Sequence, residues 1–166
     1  MAVTIYGANM FGTPVNGVNY DGGRVIGANS TTFTQGDPVS INGSGFLVVE
    51  SSNSAIYGVV VATSTTTSSN QTVAKVTPYV QPVDLDYEWL MGTNSDLTQA
   101  SIGVYYQLTG TTGAVLVDVA TGAVTGTLRQ VVCTGVDPNT LGGTGTGSGA
   151  RQGLFKFVKI TNFKMN

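Results

Sequence analysis

Histidine is absent from the 166-residue chain, and cysteine occurs once, at Cys133. Without histidine the chain lacks the side chain that most often acts as a general base and most often binds a metal ion. A single cysteine excludes an intrachain disulfide, and the valines beside it in RQVVCTG predict that Cys133 is a small buried hydrophobe. We therefore expect no enzyme activity, no metal site and no cofactor.

Charge is also scarce, because charged residues make up 10% of the chain against about 25% in typical soluble domains. A net charge of -2 gives no basis for neutralising phosphates, so we expect no nucleic-acid partner. One stretch, RQGLFKFVKITNFK, interleaves basic and aromatic residues, as in a single-strand binding surface or a half-buried strand with solvated lysines. The neutral background favours the strand. A surface with so few charges is typical of a protein that lies largely against other protein.

Long apolar runs are missing as well. None approaches the ~20 residues that span a bilayer, and MAVTIYGANMFG lacks the basic and continuous apolar regions of a signal peptide. We therefore expect no membrane partner. No window holds a sustained apolar stripe of helical period, which argues against long helices.

Glycine, threonine, valine, serine and asparagine are abundant, and this mixture favours pleated strands joined by tight turns. The sequence predicts an all-β fold, a small β-barrel or β-sandwich body over residues 24–166. AIYGVVVATST is typical of a strand buried on both faces. Pro78 and Pro82 mark the next extended piece as a sheet edge or a crossover between two β-lobes, 24–83 and 84–166. The two halves also resemble each other: the first contains NGSGFLVVE followed by VVVATS, and the second contains TGTTGAVLVD followed by VVCTGV. This similarity suggests a duplicated β-unit.

Residues 1–23 are interrupted every few positions by Gly, Asn or Pro, yet they carry several large apolar side chains. A solvated tail would rarely hold so many. We predict an extended N-terminal arm that lies on another protein, or alternatively covers the chain's own core. The candidate anchors of this arm are Tyr6, Met10, Phe11 and Tyr20.

The acids of DLDYEWLM alternate with apolar residues, so an extended strand would place Asp84, Asp86 and Glu88 on one face. Their spacing of about 7 Å suits an inverting glycosidase pair, and oxygen ligands suit Ca²⁺. A carbohydrate hydrolase is therefore the enzyme alternative, although acids on a polar strand face ordinarily stay solvated. The opposite face holds Leu85, Tyr87 and Trp89. The single tryptophan, Trp89, is either a core residue or an interface anchor.

The run NTLGGTGTGSGARQG, residues 139–153, fits a loose dinucleotide fingerprint, which requires a strand before it and a helix after it. The segment that follows, GLFKFVKI, alternates as a strand does. We therefore predict an inter-strand loop and no small-molecule substrate. The polar run STTTSSNQ, Ser64 to Gln71, is predicted to be a second loop, exposed to solvent or lining an oligomer axis.

Over about residues 36–160 the chain contains, in order, QGDPVSING…GFLVV…AIYGVVVATST, then DLTQASIGVYYQLTG…AVLVDVATG…RQVVCTGVDP, and finally GLFKFVKI. This order of segments resembles that of the capsid decoration (cement) proteins of tailed bacteriophages. These proteins share small β-lobes, Gly/Thr-rich turns, few charges and an irregular N-terminal arm. The resemblance implies a homotrimer that binds major capsid protein on the outside of an icosahedral virion assembled in a bacterial cytoplasm.

The alternative is a tail, baseplate or fibre component, or a carbohydrate-binding module for host recognition. A module of that kind stacks aromatic rings on sugars. Its candidate rings are Tyr57, Tyr79, Tyr105 and Tyr106.

Overall fold

The computed structural model describes residues 25–50, 53–83, 85–136 and 152–161, together with the backbone of Phe11–Pro14. Short strands dominate these ranges. Helical structure is limited there to a π-helical turn, Asn70–Ala74, and two 3-10 turns, Gln99–Ser101 and Gly126–Leu128. The predicted all-β fold is confirmed, and its open antiparallel sheets form a sandwich-like body.

The strands, in chain order, are β1 (Phe11–Pro14), β2 (Thr32–Phe33), β3 (Pro38–Ile41), β4 (Leu47–Val49), β5 (Gly58–Val60), β6 (Ser64–Thr65), β7 (Val80–Pro82), β8 (Trp89–Gly92), β9 (Tyr105–Tyr106), β10 (Leu108–Thr109), β11 (Leu116–Val117), β12 (Val131–Val136) and β13 (Gln152–Phe157). One antiparallel sheet has the order β4-β3-β5-β7, and a second has the order β1-β8-β13-β12-β9. Two further pairs, β2-β6 and β10-β11, complete the sheets of the described residues.

The two halves of the body, which we call the first unit (β2–β7) and the second unit (β8–β13), have a similar pattern of strand pairing. In the first unit β3 lies between β4 and β5, and β7 is added beside β5. In the second unit the consecutive strands β9 and β10 pair with β12 and β11 respectively, and β13 is added beside β12. A buried acid follows the hairpin strand in both units, Glu50 after β4 and Asp118 after β11. This repetition supports the hypothesis of a duplicated β-unit, while the lobe boundary at 83/84 stays a prediction.

The apolar side chains form two clusters. The smaller one belongs to the first unit and consists of Phe33, Val39, Leu47, Tyr57, Val60 and Val80. The larger one is built mainly by the second unit and includes Trp89, Met91, Leu108, Val117, Val131, Cys133, Phe155 and Phe157. Ile56 and Val59 of the first unit also belong to the larger cluster. The two units therefore share part of their interior.

Polar contacts join the units across long sequence separations. Ile56 forms a parallel bridge with Ile160, in which the N–H of Ile56 donates to the carbonyl of Lys159 at 2.8 Å. The Gly113 N–H donates to both carboxylate oxygens of Asp37 at 2.9 Å. Gly113 has a φ of 74°, in the left-handed region that favours glycine. The short turn that carries it can therefore approach Asp37 closely.

Several local expectations are confirmed. All of β5 is buried, as its apolar centre predicted, and β7 is an edge strand, as Pro78 and Pro82 predicted. Cys133 is buried, and burial raises the pKa of its thiol. In β13 Phe155 and Phe157 are fully buried, while Leu154 and Lys156, which alternate with them, are partly exposed. These two rings fill the core, so they are not available to stack on bases.

The predicted loop at Ser64–Gln71 is wrong in part. It begins with β6, which pairs with β2. Thr66 and Asn70 are buried, because their side chains bond backbone groups about 40 residues earlier in the chain. The Thr66 hydroxyl donates to the carbonyl of Ala28, and the Asn70 amide donates to that of Gly27 at 2.7 Å. These two side chains attach the segment to the start of the first unit, while Thr67, Ser68 and Ser69 between them are exposed to solvent, as predicted.

Candidate functional site

The three acids of DLDYEWLM do not line one face of a strand. Leu85 and Asp86 lie in a turn, β8 begins only at Trp89, and Asp84 lies outside the described residues. Leu85 was expected to share an apolar face with Trp89, but 51% of its surface is exposed. The turn breaks the alternation on which the shared acidic face depended. The described residues contain no group of three potential metal ligands.

Trp89 belongs to the core. Only 1% of its surface is exposed, and its ring packs edge-on against Phe157 with centroids 5.8 Å apart. A side chain so deeply buried presents no surface to a partner, so the interface-anchor interpretation of Trp89 is wrong.

The other predicted anchors lie in residues 1–23. Tyr6, Met10 and Tyr20 lie outside the described residues. The backbone of Phe11–Pro14 forms β1, which pairs with β8 at Phe11↔Met91 and Pro14↔Trp89. For this stretch the structure favours the alternative in which the arm joins the chain's own body. Attachment of the remaining arm to another protein stays a prediction.

The buried carboxylates hold the fold together. Asp118 accepts hydrogen bonds from the side chains of Asn94 at 2.7 Å and Gln107 at 3.0 Å, and from the Thr121 N–H. Burial alone would raise the pKa of Asp118, but the hydrogen bonds from Thr121, Gln107 and Asn94 outweigh it and lower the pKa to about 2. A carboxyl group with so low a pKa is ionised at neutral pH and unsuited to act as a general acid.

We expect Asp118→Asn to lower the free energy of unfolding at pH 7 by about 1 kcal/mol, because the pKa lies well below its unfolded value and solvent screens part of this effect. Because the pKa of Asp118 is lowered by folding, ionised Asp118 stabilises the folded state at pH values above its unfolded pKa, which is near 3.8. This contribution is lost as pH falls towards 2. The difference between wild type and variant, measured by urea unfolding, should therefore shrink from pH 7 to pH 2. Glu88→Gln is the charge-matched control. A difference that is the same at both pH values would contradict this assignment.

Asp37 and Glu50 are likewise engaged by the protein. Burial raises the pKa of Asp37, and the N–H groups of Gly113 and Thr34 offset part of that effect. Both Asp37 oxygens already accept the Gly113 N–H. Glu50 accepts the Ser40 hydroxyl at 2.9 Å and the Ser54 N–H at 3.1 Å. These contacts are what a structural carboxylate needs, and they use the oxygens that a substrate would have to reach.

Exposed apolar side chains concentrate on one short segment. Of the six large apolar side chains that are exposed among the described residues, four lie between positions 73 and 85. They are Val73, Val76, Tyr79 and Leu85, which we call the apolar edge. Val73 is 75% exposed and Tyr79 is 60% exposed. Lys75 and Asp84 are the only charged residues within this segment.

The strand inside this segment resists pairing with another strand. The Val61 N–H donates to the carbonyl of Tyr79, and the Val83 N–H donates to that of Tyr57, so both Tyr79 and Val83 face β5. The alternation of a β-strand directs the backbone of Pro78, Val80 and Pro82 away from β5. Two of these three residues have no N–H, which blocks strand addition. A partner at the apolar edge would therefore bind through side-chain packing.

A second surface feature is an open groove of about 350 Å³, lined by Tyr105, Gly126, Thr127, Arg129, Val158 and Lys159. We call it the cationic groove. The Arg129 guanidinium lies over the Tyr105 ring, 4.5 Å from its centre. The Lys159 ammonium donates to the carbonyl of Thr127 at 2.9 Å and to that of Asn53. None of the six lining residues is acidic. Sequence reasoning missed this groove, because its residues come from three separate segments.

Within the part of the chain that the structure describes, no helix has the length and apolarity needed to cross a membrane. Comparison with protein-family models, with curated proteins and with solved structures finds no match to this chain.

Proposed function

We propose that this chain is a structural virion protein that binds the outer surface of an icosahedral phage capsid. In this role it contacts neighbouring subunits of the major capsid protein and stabilises the contacts between them, as a homotrimer. The support is the resemblance in strand order, the all-β body and the low charge of the chain. Stabilisation then follows from linkage, since a ligand that binds only the intact shell raises the free energy of opening it. Because the three copies of a trimer are linked, binding of one copy raises the effective concentration of the other two at neighbouring sites, which strengthens attachment without new contacts.

The apolar edge is the observation that carries the proposal. A surface segment with four exposed large apolar side chains and two charges is typical of the centre of a protein interface, from which charges are depleted. Fully burying a side chain of this size stabilises a complex by roughly 1.5–3 kcal/mol. Pro78, just before β7, and Pro82, within it, have no N–H to offer a further strand, so the same surface does not invite aggregation through its backbone.

The sugar-binding alternative has less support. Such a module needs several aromatic rings open on one face. Tyr57 and Tyr106 are buried in the two cores, and the Tyr105 ring is covered by Arg129. Of the four candidate rings only Tyr79 is largely exposed.

The double variant Val73→Ser, Tyr79→Ser should weaken binding to decoration-free shells at least tenfold, because it removes apolar area from the interface; this corresponds to about 1.4 kcal/mol or more. Its free energy of unfolding should stay within about 0.5 kcal/mol of wild type, since both side chains are exposed. Binding is measured by co-sedimentation with purified shells.

Ile102→Ser is the matched control, since Ile102 is also exposed but lies in the second unit. Immunogold labelling of complete particles locates the wild-type chain independently. Gold on tails or fibres, or full shell binding by the double variant, would overturn the proposal in its present form.

A further inference from the structure

We infer that the cationic groove is a binding site for a carboxylate, presented by an acidic side chain of the protein to which this chain attaches. The inference rests on the proposed function, and it adds the chemistry of one contact to it. The carboxylate would lie between the Arg129 guanidinium and the Lys159 ammonium, against the wall formed by Tyr105 and Val158.

Arg129 is held in place by its contact with the Tyr105 ring and not by hydrogen bonds to the described residues. Its guanidinium lies over the Tyr105 ring, a cation–π arrangement that limits the side chain's freedom and leaves the N–H groups unused. Among the described residues no hydrogen bond or ion pair of this guanidinium is found. A guanidinium carries five N–H donors in a planar fork, which matches the two oxygens of a carboxylate. Arg129 is therefore positioned to bind a planar anion.

Lys159 is held in place by two carbonyl oxygens, those of Thr127 and Asn53. These contacts take two of the three N–H donors of the ammonium and leave its charge intact. Asn53 belongs to the first unit and Thr127 to the second. The junction of the two units thus fixes a positive charge at the groove with one donor remaining.

The cationic groove is suited to bind a ligand with one negative charge, although the chain as a whole is acidic. The chain has a net charge of -2 and seven Lys and Arg residues, of which two line this groove without an acid among the lining residues. A carboxylate carries one charge and two oxygens, whereas a phosphate monoester approaches two charges and has three free oxygens. The planar fork of Arg129 and the one remaining N–H donor of Lys159 suit a carboxylate better than a phosphate.

The surroundings fit a protein as the source of that carboxylate. Leu128, next to Arg129, is 38% exposed and offers an apolar contact beside the charge. Tyrosine and arginine are enriched where protein interfaces are strongest. An acidic side chain on a coat subunit could enter the groove while its neighbours contact Leu128.

The first experiment uses the isolated full-length chain and a hexaglutamate peptide, followed by NMR of the Arg129 side chain and the Tyr105 ring. We expect hexaglutamate to shift these resonances and hexaglutamine to leave them unchanged. Arg129→Gln should weaken peptide binding at least tenfold, and Lys75→Gln, which removes an exposed charge elsewhere, should not. Stronger shifts with inorganic phosphate or glucuronate than with hexaglutamate would overturn the assignment to an acidic side chain. Lys159 is not varied, because it also holds two backbone carbonyls.

The second experiment measures shell binding of Arg129→Glu and Arg129→Lys at two salt concentrations. We expect Arg129→Glu to lose at least tenfold in affinity and most of the salt dependence, and Arg129→Lys to be intermediate, because it keeps the charge without the fork. If the chain binds shells and Arg129→Glu has no effect, the carboxylate site is wrong and the proposed function stands. If hexaglutamate binds but wild type does not bind shells, the proposed function fails and the groove keeps its ligand chemistry.

Discussion

Replacing Trp89 by alanine should lower the free energy of unfolding by about 3–5 kcal/mol, the range found when a buried large aromatic ring is removed. The ring is 1% exposed and packs edge-on against Phe157 in the larger core cluster. Trp89 lies in β8, which pairs with β13 and β1, so a cavity at this position weakens an interior strand of the five-stranded sheet. Urea unfolding followed by far-UV circular dichroism measures the change.

Two controls separate a core role of Trp89 from a role at an interface. Trp89→Phe keeps an aromatic ring and removes a buried indole N–H that has no hydrogen-bond partner in the described part of the chain, so it should destabilise the protein less than the alanine variant does. Tyr79→Ala removes an exposed ring and should change stability by no more than about 0.5 kcal/mol. A Trp89→Ala protein that keeps its stability but loses shell binding would restore the interface-anchor interpretation.

Gln130→Ala should lower the free energy of unfolding by about 1–3 kcal/mol, because it leaves the buried Leu108 N–H without its acceptor. The Gln130 side chain is fully buried. Its oxygen accepts the Leu108 N–H at 2.8 Å, and its amide donates to the Ser54 carbonyl at 3.1 Å. The Gln130 side chain thus forms hydrogen bonds with the backbone of a strand in the second unit and of a turn in the first.

The direct observable is hydrogen exchange at the Leu108 amide, which should accelerate in the variant because its acceptor is gone. Gln130→Met keeps most of the volume without the hydrogen bonds, so it should remain strongly destabilised. Gln99→Ala is the matched control, since Gln99 is exposed in a 3-10 turn. Unchanged exchange at Leu108 together with full stability of Gln130→Met would show that the hydrogen bonds of this amide contribute little.

Local patterns determined the fold class, the buried strand β5, the edge strand β7 and the alternation of β13. Each of these depends on residues a few positions apart: β-branched residues at period two, glycines at turns, or prolines that cannot donate to a ladder. Cys133 could be assigned to the core on the same grounds, from the valines beside it. Such features follow from backbone geometry and from the chemistry of neighbouring residues, so a single sequence is sufficient to predict them.

The acids at 84–88 show where this reasoning fails. Their alternation fits a strand, but Leu85 and Asp86 form a turn between β7 and β8. Those two strands belong to different sheets, so the chain must change direction between them. The need for this change of direction comes from the path of the whole chain, so the alternation of acidic and apolar residues at 84–89 does not indicate it.

Only the tertiary structure decided which polar residues are buried and which surface residues meet. Asn70 reads as part of a polar loop, yet it is fully buried because it bonds the Gly27 carbonyl, 43 positions away. Asp37 and Gly113 are 76 positions apart and share two hydrogen bonds. The cationic groove likewise combines Tyr105, Arg129 and Lys159 from three segments. A polar side chain can be buried wherever the fold supplies its hydrogen-bond partner, and distant partners become neighbours only when the chain is folded.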